Sequence, residues 1–133
     1  MPIIIDATGI ALGRLASYSA KKAVLGEEVC IINCDNAVIS GKRKNVVEAY
    51  LTKRARRHPF SGPFISRVPS MIVKRAIRGM LEYKRTPGKL AFQRVVCYNT
   101  APNEIIGKQE DIDKLKKSYS SYVTLKELSS SIS

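Results

Sequence analysis

The chain has 133 residues, 44% of them hydrophobic, and a formal charge of +12. That is one domain's length, with enough apolar material for a core. No apolar run nears the roughly 20 residues that span a bilayer, and MPIIID lacks the basic start and long apolar stretch of a signal peptide, so a soluble intracellular protein is expected.

The first third reads as a β-α-β unit. PIIID, with three consecutive isoleucines, suits a strand buried on both faces. A turn at Thr8-Gly9 leads into ALGRLASYSAKKAVLG, where Leu12, Leu15, Ala16, Ala23 and Val24 approximate a helical stripe and Gly26 suits the C-terminal cap. EEVCIIN supplies a second strand, and strand-helix-strand order with short turns implies a parallel crossover. A second helix follows VISGKRKN, with Ser40 as N-cap and Val46, Val47, Tyr50 and Leu51 at helical spacing.

Residues 53–67, KRARRHPFSGPFISR, read as a basic loop or arm broken by Pro59, Gly62 and Pro63. A third helix opens at Val68-Pro69, with an apolar stripe of Val73, Ala76, Ile77, Met80 and Leu81 and with Lys74, Arg75 and Arg78 on the other side. RTPGK reads as a turn and RVVCY as a third strand. The tail holds a weak helix near EDIDKLKK, a capping-box pattern from Thr124 to Glu127 that starts another, and a serine-rich frayed end.

Charge is unevenly placed. From Lys42 to Arg94 there are 15 of the 23 Lys/Arg but only two of the 11 acids, Glu48 and Glu82; this block carries +13 and the remainder −1. Such a block opposes folding through self-repulsion unless a polyanion neutralises it. Nucleic acid is the commonest partner of that kind, followed by anionic membrane. A solvated surface usually alternates its signs along a helix, which this one does not. Arginine leads in the densest parts and makes bidentate bonds to phosphate.

Other chemistries fit poorly. Gly9 and Gly13 give G-x-x-x-G rather than a dinucleotide fingerprint, and Gly13 reads more simply as a close helix–strand contact. Gly41-Lys42 is followed by Arg43, and Asn36 stands where a phosphate loop needs glycine. Cys30, Cys34, Cys97 and His58 formally allow zinc. But VCIINC read as a strand separates its cysteines by about 13 Å, so buried small hydrophobes is the simpler reading. His58 sits among arginines, and Asp6 and Asp35 are isolated at strand ends, Asp6 capping a turn; no enzyme constellation emerges. Phe60 and Phe64 flank Gly62-Pro63 and suit either stacking on an unpaired base or anchoring the loop. A folded RNA, bound by shape and phosphate, is the expected ligand.

Four stretches in order, DATGIALGRLAS, NCDNAVISGKR, GPFISRVPS and KRAIRGML, resemble the landmarks of the L-thirteen family of large-subunit ribosomal proteins, from about Ile3 to Pro102. The element from Gly62-Pro63 to Arg67 and Pro69 is similar to the archaeal and eukaryotic branch. The resemblance implies an α/β fold: a single three-layer α/β/α domain around a mainly parallel four-stranded sheet. With it go a core over about 3–102, the basic arm 53–67 and a short helical C-terminal extension 103–133. It implies a structural constituent of the large ribosomal subunit in the cytoplasm, acting early in assembly, with large-subunit rRNA and neighbouring ribosomal proteins as partners. No cofactor, metal, membrane or small-molecule substrate is expected. By motif the RNA contacts are Arg14, Lys42, Arg43, Arg67, Lys74, Arg75 and Arg78. On charge, Lys44, Lys53, Arg54, Arg56, Arg57, His58, Lys84 and Arg85 join them. Glu82, where members usually carry proline, and the glycine-free NTAP of residues 99–102 depart from the pattern at turns. An RNA-binding regulator of translation working off the ribosome is the alternative.

Overall fold

The computed structural model describes residues 3–55, 68–82, 84–100, 108–109 and 121–132. The order is β1 (Ile3–Asp6), α1 (Leu12–Val24), β2 (Val29–Ile32), a 3-10 turn (Cys34–Asn36), β3 (Val38–Ser40), α2 (Arg43–Ala55), α3 (Pro69–Gly79), α4 (Thr86–Gln93), β4 (Val95–Cys97), β5 (Lys108–Gln109), β6 (Tyr122–Thr124) and α5 (Leu125–Ile132). The arm residues 56–67 and the helix expected near residues 110–117 lie outside the described residues.

β1 pairs in parallel with β2, Ile3 opposite Val29, and β2 with β4, Ile31 opposite Cys97. The two-residue β5 pairs in parallel with the free edge of β1. Ile3, Ile4 and Ile5 are all buried, which is what an unbroken apolar run in a covered parallel strand requires. α1, the crossover, turns Leu15, Ala16, Ala20 and Ala23 inward. It stops in a Schellman motif: Gly26 at φ 95° donates its N–H to Ala23 O at 3.0 Å and Glu27 donates to Lys22 O at 3.3 Å. Val24, placed by periodicity on the buried stripe, is exposed as the last residue of the helix.

Three expectations change. Lys53 to Ala55 belong to α2 rather than to a loop; lysine and arginine suit a helix C-terminus, whose partial charge is negative. Ser40 does not cap α2. It ends β3, opposite Tyr122, and Lys42 takes the cap position, its carbonyl accepting Val46 N–H at 3.1 Å. RTPGK is a helix start, with Pro87 in the first turn of α4, where its missing N–H costs nothing. Gly88, inside that helix, is buried under the turn after α3. A Cβ there would overlap the backbone carbonyl of Glu82. Gly88→Ala is expected to lower stability by about 2 kcal/mol; the check is a urea midpoint that falls while the slope of the transition stays fixed.

A second sheet, antiparallel β3 and β6, joins the tail to the body, Val38 opposite Thr124. Val123, Leu125 and Leu128 sit in the same apolar core as Ile5, Leu15, Ile31, Val73 and Val95. The capping pattern of the tail forms its first half: Thr124 Oγ1 accepts Glu127 N–H at 3.3 Å.

Candidate nucleic-acid interface

Helix N-termini expose unpaired N–H groups and a partial positive charge, so stability alone places acids there. α1, α2, α3 and α4 have no acid in the first turn. α1 and α4 also lack a side-chain cap from their own N-cap residues, Ala11 and Arg85. Cations occupy three of these ends instead. Arg14 is exposed in the first turn of α1, Lys42, Arg43 and Lys44 are exposed where α2 begins, and Lys84 and Arg85 are exposed where α4 begins. α3 differs: Asn99 Oδ1, from beyond β4, accepts Ser70 N–H at 2.8 Å. This cap lies in one of the two stretches that depart from the family pattern.

The starts of α1 and α2 are tied together. Gly9 N–H donates to Asn36 O at 3.1 Å and Val38 N–H to Ile10 O at 3.0 Å, and Ala11 bridges Val38 in parallel. Arg14 and the Lys42–Lys44 run therefore lie toward one end of the molecule, past the carboxyl ends of β1 and β2. Gly13, in the exposed turn beside Arg14, has open space where a Cβ would stand, so it is not the close helix–strand contact expected. Lys84 and Arg85 lie elsewhere. A cleft of about 520 Å³ is lined by Val24 at the end of α1 and by Leu81, Glu82, Thr86 and Pro87, which puts the start of α4 near the C-terminus of α1. A helix of 13 residues is about 20 Å long, so the two cationic groups are separated by about that length.

On α3, Arg75 is exposed, while Lys74 and Arg78 are half-buried. Lys74 Nζ sits 5.0 Å from the centre of the Phe92 ring and leans inward. Arg43 Nη2 donates to Ser131 Oγ at 3.0 Å, linking the start of α2 to the end of α5. Arg85 pairs with Glu82 at 4.0 Å, with both side chains well exposed, a contact worth little in water. Arg94 Nη1 donates to Ala23 O at 2.9 Å, which closes the end of α1. Arg14, Lys42, Lys44, Arg75 and Lys84 make no ion pair among the described residues. The backbones of Lys53 and Arg54 lie in α2; Arg56, Arg57, His58, Phe60, Phe64 and Arg67 lie outside the described residues.

Among the described residues, Asp6 is engaged structurally. Asp6 Oδ1 accepts Thr8 N–H at 3.0 Å, Thr8 Oγ1–H at 2.7 Å and Asn33 Nδ2–H at 3.2 Å, so it caps the turn into α1 as its position implied. Cys34 lies past β2 in the 3-10 turn, so the strand spacing expected of Cys30 and Cys34 does not hold. Cys34 is buried, and Cys30 and Cys97 are half-buried. No group of three or more His, Cys, Asp or Glu able to hold a metal occurs among the described residues. Burial also pushes the Tyr50 phenol up. The cations of these helix starts follow from motif and charge, but their common place at starts that lack acids does not. The signal was present in SGKRKN and YKRTPG, where helix starts carry bases in place of acids.

The family model for ribosomal protein L13 matches residues 1–104. The large ribosomal subunit protein uL13 of Methanosarcina barkeri is 41% identical over 131 residues, spanning 95% of this chain and 94% of that protein. The uL13 of Methanopyrus kandleri is 38% identical over 132 residues, spanning 95% of this chain and 83% of its own length. That of Haloarcula marismortui is 37% identical over 131 residues, spanning 98% and 90%. These relatives therefore align well into the tail, past the end of the family model.

Proposed function

Because the chain belongs to the ribosomal protein L13 family, structural and non-enzymatic components of the ribosome, we propose that it is a structural constituent of the large ribosomal subunit, holding folded large-subunit rRNA by its phosphates. The observation that carries this reading is the set of exposed cations at helix starts that lack acids. Each end combines a helix's partial positive charge with full charges of the same sign. That arrangement disfavours the free protein and favours a bound phosphate.

Arg14, Lys42, Lys44 and Arg75 are the strongest contacts on exposure. Lys84 and Arg85 form a second footing about a helix length away, which suits an extended duplex surface better than a single loop. Arg43 bridges RNA and tail. Lys74 and Arg78 contribute from partly covered positions. Lys53 and Arg54, in the last turn of α2, and Arg56, Arg57, His58 and Arg67, in the segment that follows, extend the contact. The chain acts as one domain in the family's three-layer arrangement, with β5 as the fourth strand. It works early in subunit assembly, in the cytoplasm, beside neighbouring large-subunit proteins. Gly13 leaves space for a phosphate to approach the first turn of α1.

Sedimentation of the native protein tests the class. Co-migration with the large subunit at low salt, and release as salt rises, is expected from phosphate contacts. Migration at low salt with RNA lighter than the subunit would support a regulator working off the ribosome. Migration free of any RNA would overturn both.

A further inference from the structure

The side chains of Cys34 and Cys97 meet across the ends of β2 and β4. The chain turns at Asn33, φ 58°, and then runs on alongside the end of β4. Tyr98 N–H donates to Ile31 O at 2.8 Å, Cys34 N–H to Tyr98 O at 3.1 Å and Asp35 N–H to Asn99 O at 3.1 Å. The pairing of Ile31 with Cys97 thus continues past the end of β2. Cys34 thereby falls in register with Asn99, which makes it a diagonal neighbour of Cys97 on the adjoining strand. The thiols are hydrogen-bonded, Cys34 donating to Cys97. Cys34 is buried and Cys97 half-buried, so Cys97 is the more exposed residue of the pair. Cys30 is paired in register with Ile4 and Val96.

We infer that Cys34 and Cys97 form a modification site for peroxide-class oxidants, a dithiol that closes to a disulfide tying the 3-10 turn to β4. The roles divide by environment. The hydrogen bond from Cys34 holds the Cys97 thiol below its ordinary range; burial opposes this and the Lys74 ammonium assists it. Donation to Cys97, then burial, pushes the Cys34 thiol up. Cys97 is the attacking thiolate and Cys34 the resolving thiol.

The Cys97 sulfur attacks one oxygen of hydrogen peroxide. The S–O bond forms, the O–O bond breaks, and the departing hydroxide takes the thiol's proton to become water. The Cys34 sulfur then attacks the Cys97 sulfur of the sulfenic acid. The S–S bond forms, the S–O bond breaks, and the second hydroxide leaves as water with the Cys34 proton. Two thiols and one peroxide yield one disulfide and two waters, and two electrons pass from sulfur to oxygen.

The test treats the full chain with stoichiometric hydrogen peroxide, blocks remaining thiols with iodoacetamide and maps the peptides by mass. Expected is a Cys34–Cys97 cross-linked peptide lacking two hydrogens, with Cys30 alkylated. In Cys34→Ser, Cys97 should stop at the sulfenic acid and be trapped by dimedone; in Cys97→Ser, no cross-link should form. The unsubstituted chain alone decides the matter if either variant fails to fold. A cross-link through Cys30, all three thiols still open to alkylation, or Cys97 passing to sulfinic acid without bridging would overturn the assignment.

Discussion

Leu128→Ala is expected to destabilise the purified chain by about 3 kcal/mol, as deletion of a buried leucine side chain does in a core that cannot collapse onto the gap. Leu128 is fully buried, and the surroundings that would have to close over it are fixed from several directions. Leu125 N–H donates to Ala37 O at 2.9 Å and Gly41 N–H to Ser121 O at 3.0 Å. β6 is paired to β3 along its length, and α5 packs against α2, α3 and the 3-10 turn. In a domain of this size such a loss lowers the melting temperature by roughly 10 °C. Lys126→Ala, on the exposed side of the same helix, serves as the control and should stay within about 0.5 kcal/mol of the parent. A melting temperature for Leu128→Ala equal to that of the control would mean that the tail is an appendage and that the core closes without it.

That coupling of tail to body was largely hidden in the sequence, for a physical reason. β3 and β6 are three residues each, too short for period-two alternation to register. Their pairing joins residues more than 80 positions apart, about which local pattern says nothing. The β-α-β unit was legible because its signals are local and agree: three isoleucines, a helical stripe, and Gly26 where the helix must stop. α4 was hidden by its own opening. Thr-Pro-Gly is strong turn chemistry, and only the packing of Gly88 against Glu82 explains a glycine inside a helix. Of the candidate interface, the sign and the residues were legible from charge counting. Their position at helix starts that lack acids, the inward lean of Lys74 over Phe92 and the Arg43–Ser131 link were not, because each depends on where elements end or meet.

Replacing Lys42 and Lys44 together by glutamine is expected to move stability and RNA binding in opposite directions. Both side chains are exposed at the start of α2, where they face the positive end of the helix and flank Arg43. Removing them relieves repulsion, so the free chain should hold its stability or gain about 0.5 kcal/mol. Arg43 is left in place because its bond to Ser131 ties α2 to the tail, and its loss would blur the readout. Binding to folded large-subunit rRNA should weaken by on the order of 100-fold at moderate salt, at about 1.5 kcal/mol for each charge-assisted contact. The slope of log affinity against log salt should flatten by about one unit per lysine. The slope is the decisive quantity, since a lysine that merely shapes the fold alters affinity without changing the number of counterions released. Filter binding across a salt series, with Lys126→Gln as the charge-matched control, separates the cases. A slope equal to that control would remove the start of α2 from the RNA contact, whatever happened to the affinity.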